Sequence, residues 1–317
     1  MLGFIARRTG LSLLIVVLAV SLLFGMIHMI PGDPASVLLG PRATPELRAE
    51  LNERMGLDQP IVVQLGRFLG NAARGDLGED VFSNRPVADI VLEQLPFTLM
   101  LVFAAIGAAT LIGVPLGCFS AIRRNSLLDR IAGILSVGFI AVPSFVVALY
   151  ALLLLSVELR WFPAIGAGET GDWASMAHHL VLPALALGLG WVGYIARLVR
   201  ASMLEVMGEN HIRTARAFGL PERVVIGRYA LRIAILPTVT ILGLGIGTML
   251  SGALFAEIVF SRPGVGKLLY EAVMTRNYPV VMGTVLVTTV FFVAATLVSD
   301  IVNALLDPRL RTQGDRR

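Results

Sequence analysis

The sequence predicts an all-α polytopic membrane protein with six transmembrane helices, and two observations carry this prediction. The first is composition, because 56% of the 317 residues are hydrophobic and 15% are charged, whereas soluble domains have about 45–50% and about 25%. The second is that the apolar residues are collected in long stretches with few charges. A mean hydropathy of +0.79 indicates that lipid is part of the solvent of this chain.

Six stretches have the length of a helix that spans a bilayer, which needs about 20 apolar residues. They are 9–30, 96–121, 131–157, 179–199, 233–260 and 279–303. They are too long and too continuous for membrane β-strands, which alternate in polarity. The first follows Arg7 and Arg8, as a signal peptide would, but it is longer than such an apolar region and no A-x-A site closes it. We therefore expect a retained first helix.

The arginines predict the orientation. Arginine and lysine are enriched in short cytoplasmic loops, and long loops are largely exempt from this rule. Six spans place both termini on one side, and that side holds most of the arginines of the short connections, among them Arg7, Arg8, Arg123, Arg124 and Arg130. Both termini are therefore expected in the cytoplasm.

Two connections are too long to be simple turns. The outer one, 31–95, has Thr44-Pro45 as a helix start and Gly56 as a stop, which predicts a short amphipathic helix. The cytoplasmic one, 200–232, contains Gly219-Leu220-Pro221, which predicts helix, tight turn, helix. The expected organisation is an N-terminal segment with the first helix (1–30), a large periplasmic loop (31–95), a five-helix core (96–308) and a cytoplasmic tail (309–317).

No set of residues for catalysis or metal binding can be assembled. The nearest approach to a nucleotide-binding P-loop, Gly264-Val265-Gly266-Lys267-Leu268, lacks the first glycine and the hydroxyl residue. His178 and His179 are adjacent and would point in different directions on a helix, and Cys118 is the only cysteine. We expect no catalytic residue, no metal and no cofactor in this chain.

Ionisable residues inside membrane spans are functional candidates because burying them is costly. Glu257 lies near the outer end of the fifth span and Asp300 near the inner end of the sixth, where an interfacial position is an equally good interpretation. Glycines in the fifth span permit close helix packing, and their alternative role is to line a path. Proline favours a kink wherever it interrupts a span; such prolines are Pro115, Pro143, Pro183 and Pro237.

The segment 211–221 carries a family resemblance. It reads His211-Ile212-Arg213-Thr214-Ala215-Arg216-Ala217-Phe218-Gly219-Leu220-Pro221. This run resembles the EAA loop of binding-protein-dependent ABC importers, and more narrowly that of the peptide/nickel permease subunits. Other stretches that agree with this family are His28 to Pro34, Gly56 to Pro60, Gly75 to Gly78, Pro263 to Gly266 and Asp307 to Arg309. The chain is most similar to the first of the two permease paralogues, as in dipeptide, oligopeptide and glutathione importers.

The resemblance implies a type I ABC importer permease fold in a bacterial inner membrane. It implies four kinds of partner: a second permease, two cytoplasmic ATPase subunits that hold ATP and Mg²⁺, an extracytoplasmic substrate-binding protein, and lipid, with no nucleic acid. The residues expected to dock an ATPase subunit are Arg213, Thr214, Ala215, Arg216, Ala217, Phe218, Gly219, Leu220 and Pro221. Those expected to line the translocation path are Gly243, Gly247, Ser251 and Glu257.

The sequence departs from this family at Phe218, where lysine is expected, at Asn277, where aspartate is expected, and at Asn303, where tyrosine is expected. Other functions stay open at this point. A stand-alone channel or an ion-coupled carrier would need no partners, an intramembrane enzyme is disfavoured, and the 200–232 loop could instead be a surface helix on anionic headgroups. Dipeptides, longer peptides, glutathione and chelated nickel are all possible substrates.

Overall fold

A computed structural model gives the fold and describes residues 2–29, 44, 59–169 and 171–306. Within these residues the chain is helical, and its strand-like pairing is limited to an isolated bridge between Glu79 and Pro86. The all-α prediction is confirmed. The main helices are α1 (Leu2–Met29), α2 (Ile61–Ala72), α3 (Val87–Ile122), α4 (Leu127–Ala141), α5 (Ser144–Ala151), α6 (Trp173–Met207), α7 (Asn210–Ala217), α8 (Leu236–Val259), α9 (Val265–Met274) and α10 (Tyr278–Leu306).

Shorter helical pieces join these elements. The π-helix Leu152–Glu158 continues α5. Between α7 and α8 the chain passes through Glu222–Val224, the π-helix Val225–Ala230 and Leu231–Ala234. The amphipathic helix predicted over 45–56 and the predicted tail 309–317 lie outside the described residues.

The third predicted span, 131–157, is a bent pair of helices, and the kink predicted at Pro143 is confirmed. α4 ends at Ala141, and α5 begins at Ser144 at an angle of 100° to it. Pro143 causes the break, because proline has no N–H to donate and disfavours the helical conformation of the residue before it. Val142 accordingly adopts an extended conformation with φ −87° and ψ 122°. In the described chain five helices are long and apolar enough to cross a membrane, and six if this bent pair is one span.

One compact unit comprises Thr98–Arg262 together with the chain from Ala295 onward. Its central helix is α6, which packs on α3, α4, α5 and α8. Small residues allow this, since a Cβ at Gly117 would lie 2.5 Å from the Ala196 carbonyl oxygen and one at Gly188 2.7 Å from that of Ala105. Such small-residue contacts let membrane helices approach closely enough for van der Waals packing to hold them together.

A second compact unit comprises Leu2–Phe97 and Pro263–Ala294. Its core joins residues after α2 and at the start of α3 to α9 and the start of α10. α2 packs on α1 and α10 through Leu65, Phe68 and Leu69. These three residues have helical i, i+3, i+4 spacing, the signal that would have predicted α2 within the outer loop.

Candidate functional site

The predicted helix–turn–helix is confirmed at α7. After Ala217 the chain reverses in a Schellman motif: the Gly219 N–H donates to the Arg216 carbonyl at 2.9 Å, and the Leu220 N–H donates to the Ala215 carbonyl at 3.4 Å. Gly219 has φ +72°, a left-handed conformation that glycine adopts without the steric cost that a Cβ brings. Pro221 then caps the next helical piece.

The inner face of α7 is locked to the unit that contains α6. Ile212 and Ala215 are buried in a cluster with Met203 and Val206 of α6, and Leu220 packs against the same cluster. The two buried residues of α7 are both used in this cluster, which also contains Val225 and Ala230 of the following π-helix. α7 is therefore held against the end of α6 and that π-helix.

The other face of α7 is exposed. Arg213, Arg216 and Ala217 all face solvent, and the Arg216 Nε donates to the Glu222 Oε1 at 2.7 Å across the turn. Phe218 at the tip has 82% of its surface exposed. One exposed apolar side chain is ordinary by itself, but here it stands beside the exposed Arg213 and Arg216 on a helix whose other face is packed.

A pocket of about 520 Å³ lies between the bent pair, α6 and α8. Its walls are mostly apolar, with the hydroxyls of Ser144, Tyr194 and Thr248 and the indole of Trp191 as polar groups. The Trp191 and Tyr194 rings meet edge-on at 5.7 Å between centroids. The remaining lining residues are Ile140, Val142, Pro143, Val147, Ala186, Leu187, Gly190, Ile241, Leu244, Met249 and Gly252.

The four residues predicted to line a path lie on two sides of α8. Ser251 is on its exposed face, in line with Leu244 and Thr248 of the pocket wall. Gly243 and Gly247 are buried, and a Cβ at Gly243 would lie 1.8 Å from the Ser299 Oγ. Glu257 is also buried, with no exposed surface.

Glu257 belongs to a polar cluster at the end of α8. Its Oε1 accepts a hydrogen bond from the Thr98 Oγ1 at 2.5 Å, and its carbonyl accepts the Arg262 N–H at 2.8 Å. Burial lowers the pKa of Arg262, and the charge of Glu257 opposes that effect. Among the described residues the Arg262 Nε and Nη1 atoms have no hydrogen-bond partner, so burial of this guanidinium is incompletely compensated.

His178 and His179 contact different backbone carbonyl groups. The His178 Nε2 lies 3.1 Å from the Trp161 carbonyl and the His179 Nδ1 lies 2.8 Å from the Ser175 carbonyl. In the described part of the chain no group of three or more His, Cys, Asp or Glu side chains is arranged to hold a metal ion. Each ring therefore binds a different backbone carbonyl near the start of α6.

Sequence reasoning missed the aromatic part of the pocket and the charged cluster at Asp129. Trp191 and Tyr194 are amphipathic aromatics three residues apart within an apolar span, and this spacing was the available signal. Asp129 is buried and bonded to Arg200 through Nε at 2.7 Å and through Nη2 at 2.8 Å. From sequence alone both charges resemble ordinary residues at a membrane boundary.

These features define a class. A helical membrane protein with a pocket between its spans and a rigid, exposed helix–turn–helix outside them has the parts of a transporter subunit. Comparison with known proteins identifies the family: residues 113–312 match the binding-protein-dependent transport system inner membrane component, and residues 1–102 match the N-terminal part of such components. The chain belongs to this family and is a multi-pass inner membrane protein.

Curated relatives match it from end to end. The di/tripeptide transport system permease protein DppB of Pseudomonas aeruginosa (strain UCBPP-PA14) is 38% identical, covering 99% of this chain and 100% of the relative. The glutathione transport system permease protein GsiC of Escherichia coli (strain K12) is 36% identical, covering 98% and 99%. Among solved structures, the inward-facing MetNI methionine ABC transporter is similar in fold, with a TM-score of 0.55 at 18% identity, over 69% of this chain and 96% of the solved chain.

Proposed function

We propose that this chain forms one half of the translocation path of an ATP-driven importer for peptides or related small solutes such as glutathione, and that α7 is where an ATPase subunit docks. The observation that carries the proposal is the exposed tip at Phe218 and Gly219, on a helix whose other face is packed. The substrate class is taken from the transport systems of DppB and GsiC, which are similar to this chain over nearly its whole length.

The docking role is supported by how α7 is built. Ile212 and Ala215 fasten it to a buried cluster shared by α6 and the π-helix Val225–Ala230. The exposed residues are Arg213, Thr214, Arg216, Ala217 and Phe218. A connection between two membrane helices needs no such element. A helix fastened on one face and exposed on the other presents a preorganised surface, and preorganisation reduces the entropy lost on binding.

The path is supported by the pocket face of α8. Leu244, Thr248 and Ser251 share that face, and Trp191 and Tyr194 of α6 complete the wall. A largely apolar wall with a few hydroxyls fits a path of low selectivity, with the substrate chosen by a separate binding protein. Gly243, Gly247 and Glu257 would then act from behind the wall, by letting neighbouring helices pack against α8.

The partners follow from the same proposal. A second permease would supply the other half of the path, two ATPase subunits would hold ATP and Mg²⁺, and an extracytoplasmic binding protein would deliver the solute. Both termini and α7 would lie in the cytoplasm, where the positive charge of the short connections is expected. This chain would need no cofactor of its own.

The docking site is tested with Gly219→Val in the complete complex. Valine at φ +72° is strained by about 1–2 kcal/mol, which will distort the tip, and we expect the ATPase subunits to stop copurifying and uptake to stop. Gly75→Val is the matched control, since Gly75 has φ +87° and equally open surroundings in the predicted outer loop. Phe218→Ala tests the contact without backbone strain and should weaken copurification.

The outcomes separate the candidate functions. If ATPase copurification and uptake both survive Gly219→Val and Phe218→Ala, α7 is not the docking site. If the purified chain alone moves solute into liposomes without ATP, the channel or carrier alternative is correct. Orientation is measured in a Cys118→Ala background, where an impermeant thiol reagent should label Val62→Cys in intact cells but not Arg213→Cys.

A further inference from the structure

The carboxylate of Asp129 is the meeting point of three elements. It is 6% exposed and accepts two hydrogen bonds from Arg200 of α6, at 2.7 Å from Nε and 2.8 Å from Nη2. It also accepts from the Ser120 hydroxyl near the end of α3 and from the Asn125 N–H at 2.9 Å. A bidentate arginine–carboxylate pair fixes geometry as well as charge, so α3, α4 and α6 are joined here at one point.

The turn between α3 and α4 is built to present this carboxylate. Ser126 caps α4 by accepting the Asp129 N–H at 3.2 Å, and Asn125 takes the left-handed conformation with φ +65°. In a common capping arrangement the side chain three residues after the cap reaches back to the cap residue's own N–H. Here Asp129 reaches one residue further, to Asn125, and keeps both oxygens in contact with donors from outside its helix.

Arg200 lies about two turns before the end of α6, and the residues that follow it carry α7. Met203 and Val206 pack with Ile212 and Ala215 in one buried cluster. α7 packs on the π-helix Val225–Ala230, which belongs to the same cluster, so a displacement of α7 reaches the end of α6 through that cluster. The other end of α4, away from Asp129, reaches Pro143, where α4 and α5 together form one wall of the pocket.

We infer that the Asp129–Arg200 pair is the positioning link through which movement of α7 reaches α4 and the wall of the pocket. This inference rests on the proposed docking at α7. Coupling between distant sites is carried by packed side chains, hydrogen-bond networks and rigid helices, and this pair closes the connection from α6 to α4. Stability alone is a poor reason for the pair, because a buried ion pair is often no more stabilising than apolar residues of similar size.

The test uses the complete complex in proteoliposomes, with solute uptake and ATP hydrolysis measured together. For Asp129→Asn we expect the ATPase subunits to copurify and basal hydrolysis to persist, while solute moved per ATP falls about 5- to 150-fold, the usual range of an allosteric coupling. Arg200→Lys keeps the charge but loses the bidentate fork, and should give a smaller fall in the same ratio. Because the two residues act as one pair, Asp129→Asn with Arg200→Gln should be no worse than either change alone.

Arg197→Gln is the matched control, since Arg197 is exposed, lies one turn earlier on α6 and loses the same charge; its ratio should not change. The inference is overturned if solute moved per ATP is normal in Asp129→Asn and Arg200→Lys. It is also overturned if uptake falls only in proportion to the amount of folded complex, which would make the pair purely structural. If the ATPase subunits copurify with the Asp129→Asn complex but not with the Gly219→Val complex, docking at α7 is supported. This holds whatever the value of solute moved per ATP.

Discussion

Gly193 lies where α6 crosses α4, and the absence of a side chain sets the distance between these helices. A Cβ at this position would be 2.4 Å from the Ser136 carbonyl oxygen and 3.1 Å from both the carbonyl carbon and the Cα of that residue. The obstructing atoms are backbone, which cannot rotate away as the end of a side chain can. Gly193→Ala therefore requires movement of a whole helix.

The size of that movement sets the expected cost. To bring the Cβ to an ordinary contact of 3.4 Å, α4 and α6 must separate by about 1 Å. Overpacking of this kind costs about 1–3 kcal/mol, which is roughly a 5- to 150-fold change in the unfolding equilibrium constant. Alanine is a better helix former than glycine by up to about 1 kcal/mol. Gly193→Ala is therefore destabilising only if the packing cost is larger than this gain.

The assay is unfolding of the purified complex by SDS, with Gly138→Ala as control. Gly138 lies on α4 and a Cβ there meets no atom within 4 Å, so this variant gains helix propensity without a clash. We expect Gly193→Ala to be destabilised and Gly138→Ala to be unchanged or slightly stabilised. Equal stability of the two variants would refute the argument that close approach at Gly193 holds the helices together.

Three further predictions concern other parts of the molecule. Hydrogen bonds from Ser83, Asn277 and two backbone N–H groups overcome burial and lower the pKa of Asp80, so its stabilising effect is lost as pH falls through that lowered value. Asn277→Asp sets a second carboxylate beside that of Asp80, and thermal unfolding should show a loss of stability that is largest at pH 7 and becomes smaller in acid, as one of the two carboxyl groups is protonated; a loss independent of pH would contradict this. Thr98→Val removes the hydroxyl that donates to Glu257 and should cost about 1–3 kcal/mol in SDS unfolding, whereas Thr98→Ser should be near normal. Trp191→Ala removes a large side chain from the pocket wall and should change the rate of solute uptake while ATPase copurification stays intact, and an unchanged uptake rate would place the path elsewhere.

Hydropathy predicted the membrane helices because a bilayer leaves few alternatives for a long apolar stretch. The turn after α7 was also predictable, since Gly219-Leu220-Pro221 combines a left-handed residue with a helix start. Pro143 was a visible source of a kink, but its angle depends on how α4 and α5 pack on α6, and a single sequence does not contain that information.

The candidate site was less predictable for a related reason. Hydropathy does not say which face of an apolar helix meets a neighbour, so Gly243 and Ser251 could not be assigned to packing or to the pocket side from sequence. Asp129 and Arg200 are 71 residues apart, and nothing in either local pattern pairs them. Only the crossing of α4 and α6 brings these two charges together.

The break at Pro143 has a consequence for what can occupy the pocket beside it. Where α4 stops and α5 starts, the Gly138 carbonyl accepts the Val142 N–H, and the Pro143 carbonyl accepts those of Val146 and Val147. The other last carbonyls of α4 and the first amides of α5 have no partner within their own helix. Lipid tails offer no hydrogen bonds to such groups, whereas water does, and so does cargo that carries amides. The corner at Pro143 therefore places polar backbone groups in one wall of a mostly apolar pocket, and this favours water on that side of the pocket.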